Sequence, residues 1–170
     1  MQTVVLMRHA KAKSEESAER DFDRRLTQQG RRIAQQTAQQ LSEAGIVIDR
    51  VIVSAARRAA ETGQIVAAAA CPAAPLLALE ELYHASAEGY VASLREHADP
   101  ADKTVLIVGH NPGIGELMNL WADAPLAVPP ATTAVFRFNA PDWSGLALRR
   151  DPRQGRLDLV ITHGVKMSPD

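Results

Sequence analysis

Two histidines of this chain stand where they could take part in the transfer of a phosphoryl group. His9 follows Arg8 at the end of one apolar stretch, and His110 follows another, in the turn-forming sequence Gly-His-Asn-Pro. A third apolar stretch leads into Ser54, with Arg58 four residues further on. A neutral imidazole nitrogen can act as a nucleophile, and guanidinium groups bind phosphate oxygens in a bidentate geometry. A phosphoryl group in transfer carries charge on three oxygens, so it needs fixed cations of this kind around it.

The sequence lacks the motifs of several other catalytic mechanisms. Cys71 is the single cysteine, and Leu77 stands where a cysteine-dependent phosphatase would need an arginine. The Asp21-x-Asp23 pair lies in a charged stretch rather than at the end of a strand. The chain has no Gly-rich phosphate loop, no Gly-x-Ser-x-Gly elbow, and no two histidines at the spacing of a zinc-binding helix. We therefore expect neither a metal ion nor a cofactor. The remaining histidines are interpreted as structural or surface residues: His84, His97 and His163.

The residues singled out above follow three predicted strands. The segments Thr3–Met7, Arg50–Ser54 and Thr104–Val108 are short, β-branched and continuously apolar, which is typical of strands buried on both faces. Such strands alternate here with amphipathic segments, which predicts a single α/β domain over residues 1–170. It should have three layers, with a mostly parallel central sheet between helices. The carboxyl ends of parallel strands share one edge, so Arg8-His9, Ser54–Arg58 and His110 should meet there.

The remaining elements follow from periodicity and end signals. Residues 28–44 are predicted to be a helix, with Thr27 as its N-cap and Gly45 as its end. Further predicted elements are listed by range: helices over 55–70 and 86–97, a helix after Gly113, and short strands near 134–138, 146–149 and 157–161. The polar stretch 11–25 has no apolar period and is predicted to be an exposed loop.

The composition argues against nucleic acid and membranes as binding partners. The 170 residues carry a formal net charge of −1, which argues against a nucleic-acid-binding protein with its strongly basic face. No stretch approaches the roughly 20 apolar residues that a membrane-spanning helix needs, and the N-terminus does not have the pattern of a signal peptide. A single cysteine fits a reducing compartment. We therefore expect a cytoplasmic protein that binds neither nucleic acid nor membrane.

Four segments resemble the motifs of the histidine phosphatase superfamily, the group that includes cofactor-dependent phosphoglycerate mutases. Leu6–Ala10 resembles the Arg-His-Gly signature, and Ser54–Thr62 resembles a Ser-Pro-x-x-Arg-Ala-x-x-Thr segment. Gly109–Pro112 is similar to the segment that holds the second histidine, and Arg24–Gly30 to the Leu-Thr-x-x-Gly start of a helix. The short length and the sequence Pro130–Thr132 are most similar to the SixA-type phosphohistidine phosphatases.

This resemblance implies a phosphoglycerate mutase-like fold with a minimal lid and assigns roles to individual residues. His9 would be the nucleophile that forms a phosphohistidine intermediate, without a metal ion. Arg8, Arg58 and His110 would bind the transferred phosphate. Ala10 and Ala55 replace a glycine and a proline of the family motifs, and neither position handles protons or phosphate.

Two assignments are left open by the sequence. Arg24 would be a further phosphate ligand or an ordinary loop charge. Glu81, in Leu-Glu-Glu-Leu-Tyr, resembles a Leu-x-Glu segment that would make it the general acid, and it is equally well explained as a surface carboxylate.

The expected reaction is removal of phosphate from phosphohistidine in a protein, such as a histidine-phosphotransfer domain. An alternative within enzymes is a phosphatase for a small phosphate ester or nucleotide, and a mutase is disfavoured because the chain between Arg58 and His110 is short. A non-catalytic phosphate-binding module is the alternative of another class, although such a module would need the arginines but not two histidines.

Overall fold

The computed structural model describes residues 1–18, 20–149, 151 and 155–167. The strands and helices, in chain order, are β1 Gln2–Arg8, α1 Gln28–Glu43, β2 Arg50–Ser54, α2 Arg57–Ala70, β3 Leu76–Leu79, α3 Ala87–His97, β4 Thr104–Gly109, α4 Gly113–Ala122, β5 Thr133–Phe138, β6 Gly155–Thr162 and β7 Val165–Met167. Short 3₁₀ turns cover Glu15–Ser17, Asp21–Asp23, Glu80–Leu82 and Trp143–Gly145.

The strands form one seven-stranded sheet in the order β3-β2-β4-β1-β5-β6-β7. The first four in this order are parallel to one another, whereas β5, β6 and β7 pair antiparallel. Two apolar cores separate the sheet from its covering helices. Val4, Leu6 and Ile107 point to the core that α3 and α4 cover, and alternate residues of the same strands point to the core under α1 and α2. The predicted three-layer α/β architecture is confirmed.

Side-chain hydrogen bonds and one glycine define several of the helix ends. The Thr27 hydroxyl accepts a hydrogen bond from the amide of Gly30 at 2.9 Å, which caps the start of α1. Gly45 has a φ of 72°, a left-handed conformation that glycine adopts without strain, just beyond the end of that helix. Ser86 caps α3 by accepting from the amide of Gly89. The predicted α1, with its N-cap and its terminating glycine, is confirmed.

The segment 146–149 is not a strand, and that prediction is wrong. The backbone carbonyl of Leu146 accepts a hydrogen bond from Arg95, and that of Ala147 accepts one from the indole of Trp121 at 3.0 Å. These side chains take the place of a neighbouring strand, while Leu146 itself is buried in the core beneath α3 and α4.

Two other boundaries differ from the sequence-based expectation. Helix α2 begins at Arg57 rather than at residue 55, because the amide of Ala55 donates to the carbonyl of Leu79 and that of Ala56 to the Ser54 hydroxyl. The proline-rich connection before α3 contains the short edge strand β3, parallel to β2. Within the described residues, no helix is both long and apolar enough to span a bilayer.

Candidate active site

Three neighbouring strands deliver the predicted residues to one edge of the sheet. Arg8, the last residue of β1, lies opposite Gly109, the last residue of β4, and β2 runs parallel to β4 on its other side. The imidazole rings of His9 and His110 are therefore 5.0 Å apart between their centroids. The side chain of Arg58, in the first turn of α2, contacts His9 at this edge. The structure thus brings together the two histidines and the arginine that the motifs singled out.

His9 is held in the tautomer that a nucleophile needs. Its Nδ1 lies 2.8 Å from the carbonyl oxygen of Ala10, which can only accept, so Nδ1 carries the proton and Nε2 has a free lone pair. The Nε–H of Arg58 donates to this Nε2 at 3.2 Å. Burial and the positive charges of Arg58, Arg8 and Arg24 together lower the pKa of His9 to about 4, against the opposing hydrogen bond to Ala10. His9 is therefore a neutral imidazole at neutral pH.

Arg58 is buried and held at every nitrogen of its guanidinium group. Besides the bond to His9, one terminal nitrogen donates to the backbone oxygen of Asp21 at 2.8 Å, and the other forms a 3.0 Å ion pair with the Asp21 carboxylate. The Thr62 hydroxyl donates to the carbonyl of Arg58 at 2.6 Å and accepts from the amide of Ala10 at 3.0 Å. One side chain thereby connects the arginine to the turn that carries His9.

His110 is positioned by partners from two other elements. Its Nε2 lies 2.8 Å from the Ser54 hydroxyl, and its backbone amide donates to the Tyr90 hydroxyl at 2.8 Å. Burial and the neighbouring charges of His9 and Arg58 lower the pKa of His110 to about 3. Its Nδ1 is buried without a hydrogen-bond partner among the described residues, as is the Nε of Arg8. Both atoms are unused polar groups at the edge where a phosphate would bind.

Arg8 and Arg24 supply further positive charge near His9. The terminal nitrogen of Arg8 donates to the carbonyl of Val128 at 2.9 Å, and burial together with Arg58 lowers its pKa. The Arg24 guanidinium donates to the Asp21 carboxylate at 2.8 Å and to the carbonyl of Lys13 at 2.9 Å. Arg24 therefore lies within electrostatic reach of His9, with its donors engaged by the loop that precedes α1.

Asp21 and Tyr83 belong to this cluster, although the sequence did not indicate them. The Tyr83 hydroxyl donates to the Asp21 carboxylate, which also binds Arg58 and Arg24. Partial burial opposes ionisation of Asp21, but these hydrogen bonds outweigh it and hold its pKa far below the ordinary value. The Tyr83 ring packs edge-on against His110 at 5.6 Å, and the Arg58 guanidinium carbon lies 5.7 Å from its centre. The sequence offered one indication of this contact: Asp21 stands three residues before Arg24, with which it pairs.

Glu81 does not join the cluster. Its carboxylate is 60% exposed and lies 3.3 Å from His97 of α3. The 3₁₀ turn Glu80–Leu82 buries Leu82 in the core and so directs Glu81 outward. The geometry gives no support to Glu81 as the general acid.

A small cavity of about 220 Å³ opens beside His110. Tyr83 and His84 form one wall, and Pro112 and Glu116 from the start of α4 form another. In the described part of the chain, no three His, Cys, Asp or Glu side chains are grouped as they would be to hold a metal ion. The site therefore combines a neutral imidazole with arginine donors, an arrangement suited to receiving a phosphoryl group.

Two sequence comparisons with known proteins each match more than half of the chain. Residues 4–103 match the sequence profile of the Histidine phosphatase superfamily (branch 1). An uncharacterized protein of Picosynechococcus sp. is 30% identical over 121 residues, which are 71% of each chain.

Solved structures with a similar fold include two SixA proteins. The candidate phosphohistidine phosphatase SixA from Nakamurella multipartitia is 30% identical, with a TM-score of 0.76 over 95% of both chains. The protein histidine phosphatase SixA in complex with tungstate is 24% identical, with a TM-score of 0.77 over 95% of this chain and 97% of the other, and shows the fold. The domain therefore has the phosphoglycerate mutase-like fold, and the chain belongs to the histidine phosphatase superfamily.

Proposed function

We propose that this protein is a phosphatase that removes phosphate from phosphohistidine in another protein, through a phosphohistidine intermediate on His9. The observation that carries the proposal is the state of His9. It is buried and neutral, with Nδ1 bonded to the carbonyl of Ala10 and with the lone pair of Nε2 directed at Arg58. An imidazole that served only packing or phosphate binding would have no need of an unprotonated nitrogen facing a cation.

In the first step, Nε2 of His9 attacks phosphorus. The new bond from His9 to phosphorus forms as the bond from phosphorus to the substrate's ring nitrogen breaks. Arg58, which now donates to Nε2, would release it and donate to the phosphoryl oxygens instead. Arg8 and His110, each with a buried polar nitrogen that lacks a partner among the described residues, would bind the same oxygens. Negative charge on the oxygens is thereby met by fixed donors.

The identity of the leaving group explains how the reaction can proceed without Glu81. A histidine whose other ring nitrogen is protonated departs as a neutral imidazole, so no general acid has to protonate it in the transition state. An alkoxide leaving group has no such advantage and depends on a proton donor. The exposed position of Glu81 beside His97 therefore favours a phosphohistidine substrate over an alkyl phosphate.

In the second step, water attacks the phosphorus bound to His9. The bond to Nε2 breaks, inorganic phosphate leaves, and His9 returns to its neutral state, with Arg58 again donating to Nε2. The positive charge for both steps comes from arginine side chains of this chain, so we propose that no metal ion takes part. Activity should then survive exhaustive chelation by EDTA and be inhibited by vanadate or tungstate, because both oxyanions resemble phosphate and vanadate can adopt the five-coordinate geometry of the transition state.

A direct experiment compares substrates under identical conditions. The protein is incubated with a phosphorylated histidine-phosphotransfer domain, with free phosphohistidine, and with a panel of sugar phosphates and nucleotides. We expect the highest kcat/KM for the phosphorylated domain and an acid-labile, base-stable phosphate trapped on His9. A sugar phosphate or nucleotide hydrolysed much faster than either phosphohistidine substrate would replace this proposal with that of a small-ester phosphatase.

A further inference from the structure

A groove of about 930 Å³ runs between α3 and α4 on the face of the sheet that these helices cover. Its lining includes apolar surface from Leu120 and Pro125. It also includes the carboxylates of Glu88, Glu116 and Asp123, all three on exposed residues. The groove is thus an apolar channel with a charged rim, the composition of a surface that receives a protein segment rather than a small anion.

This groove begins where the catalytic cavity ends. Glu116 lines both the groove and the cavity that holds His110. On the opposite side, Ser86 lines the cavity and the next residue, Ala87, lines the groove. Helix α4 then extends the groove away from the site, and its ten residues, Gly113–Ala122, correspond to about 15 Å. A segment that places one side chain against His110 can therefore continue along the groove without leaving the surface.

The charges of the two regions are opposite. The catalytic cluster presents Arg8 and Arg58 to the incoming phosphate. The groove presents three carboxylates against the single cation Arg149, and in the described part of the chain none of the three carboxylates takes part in an ion pair. A nucleotide or sugar bisphosphate would meet repulsion here. A phosphorylated side chain flanked by lysine or arginine would find both charges matched.

The spacing along α4 specifies the shape of such a ligand. Glu116 and Asp123 are seven residues apart, which is two helical turns, or about 10 Å. A partner helix lying along the groove would present two basic residues about two turns apart, on the face that carries its phosphorylated residue. Its apolar side chains would then cover Leu120 and Pro125.

We propose that the α3–α4 groove is the docking surface for the phosphohistidine-bearing protein, and that its occupant is a helix with basic residues on the face that carries the phosphohistidine. This inference rests on the proposed function and adds to it the chemistry of the partner. The two carboxylates of the groove that do not line the catalytic cavity, Glu88 and Asp123, contribute to association with the partner, whereas the arginine cluster receives the phosphate.

The test uses two substrates that share the same bond. One is a phosphorylated histidine-phosphotransfer domain with lysine or arginine on the helix face beside its phosphohistidine, and the other is free phosphohistidine. For Glu88→Lys/Asp123→Lys we expect kcat/KM for the domain to fall at least tenfold, mainly through KM, with the value for free phosphohistidine unchanged. Replacing the basic residues of the domain with glutamate should lower its kcat/KM with the wild type and restore it with the double variant.

The matched control is Glu43→Lys/Glu96→Lys, which changes the net charge equally at exposed positions outside the groove lining. This control should leave both substrates unaffected. Equal activity of the wild type and Glu88→Lys/Asp123→Lys on the phosphorylated domain would refute the docking surface while leaving the proposed function intact. If the wild type hydrolyses neither phosphohistidine substrate, the proposed function itself fails, and the docking inference fails with it.

Discussion

The Nε–H of Arg58 donates to the Nε2 lone pair of His9 across 3.2 Å, so the arginine occupies the atom that would attack phosphorus in the proposed mechanism. Both side chains are buried, with 6% and 7% of their residue surfaces exposed. The bond holds the unprotonated Nε2 of His9 in a fixed orientation. In the proposed mechanism, phosphate oxygens would accept hydrogen bonds from the same donor and so free the lone pair of Nε2 for attack. One guanidinium group would then both hold the resting imidazole and bind the phosphate in the transition state.

Arg58→Ala should lower kcat by about a hundredfold or more, the scale of one lost oxyanion donor. Arg57→Ala is the matched control, because Arg57 is exposed and pairs with Glu61 on the same helix at 3.2 Å. It should retain nearly full activity. Steady-state kinetics on a phosphohistidine substrate measure both variants. A reversal of the two phenotypes would show that Arg57, not Arg58, serves the phosphate.

His9→Ala should abolish turnover, since among the described residues Arg58 donates to no other ring nitrogen. Mass spectrometry or radiolabelling of the wild type during turnover should locate phosphate on His9. His110→Ala should lower kcat by about a hundredfold yet still allow His9 to be labelled. Full activity of His9→Ala would falsify the covalent mechanism.

The buried histidines predict a specific pH dependence of stability. The pKa of His9 is lowered to about 4, and that of His110 to about 3, whereas an unfolded chain binds these protons near pH 6.5. The unfolded state therefore binds more protons than the folded state below pH 6.5, so the free energy of unfolding should fall as the pH drops from about 6.5 towards 4. NMR titration of the His9 ring should give an apparent pKa near 4. Titration near 6.5 in the folded protein would contradict the burial of this ring.

Asp21→Asn tests whether the carboxylate positions Arg58. We expect kcat to fall about tenfold or more, because the hydrogen-bonded ion pair between Asp21 and the Arg58 guanidinium is lost. The pKa of His110 should fall further in this variant, since the negative charge of Asp21 that raises it is removed. Tyr83→Phe removes only one of the hydrogen bonds to Asp21 and should have a smaller effect in the same direction. Unchanged kcat and an unchanged titration of His110 in Asp21→Asn would assign the carboxylate a purely structural role.

Glu81→Gln should change hydrolysis of protein phosphohistidine by less than about twofold, as expected for an exposed carboxylate beside His97. Side-by-side kinetics on a phosphohistidine domain and on an alkyl phosphate provide the measurement. A large loss on both substrates would return Glu81 to the site as a general acid that moves inward on binding.

Gly109→Ala should disrupt the site through packing alone. A Cβ at this position would lie 2.1 Å from the hydroxyl of Tyr90, the group that accepts from the backbone amide of His110. We expect a loss of stability of about 1–3 kcal/mol together with reduced kcat. Gly145→Ala, where the nearest contact would be 3.5 Å, is the control and should be close to neutral. Thermal unfolding followed by activity assays distinguishes the two variants.

The parts of the site that lie at strand ends could be predicted from the sequence, because continuous apolar strands fix their own direction and edge. His9, His110 and Arg58 meet for that reason. The contact between Asp21 and Tyr83 joins residues 62 positions apart in two irregular segments, where no periodicity exists to place side chains. Glu81 could not be placed either, since in a single 3₁₀ turn the burial of one neighbouring leucine decides which way a carboxylate faces.

The Thr62 hydroxyl has one proton, which it donates to the carbonyl of Arg58, so towards the amide of Ala10 it can only accept. The polarity of this pair of bonds is therefore unique, and the hydroxyl couples the first turn of α2 to the turn after β1. Thermal motion of the helix against the sheet would carry the arginine and the nucleophile together and preserve the spacing between them. Valine at position 62 would have the same shape but would separate these two motions, which makes this hydroxyl the place to vary when designing a version of the enzyme with a looser or a wider phosphate site.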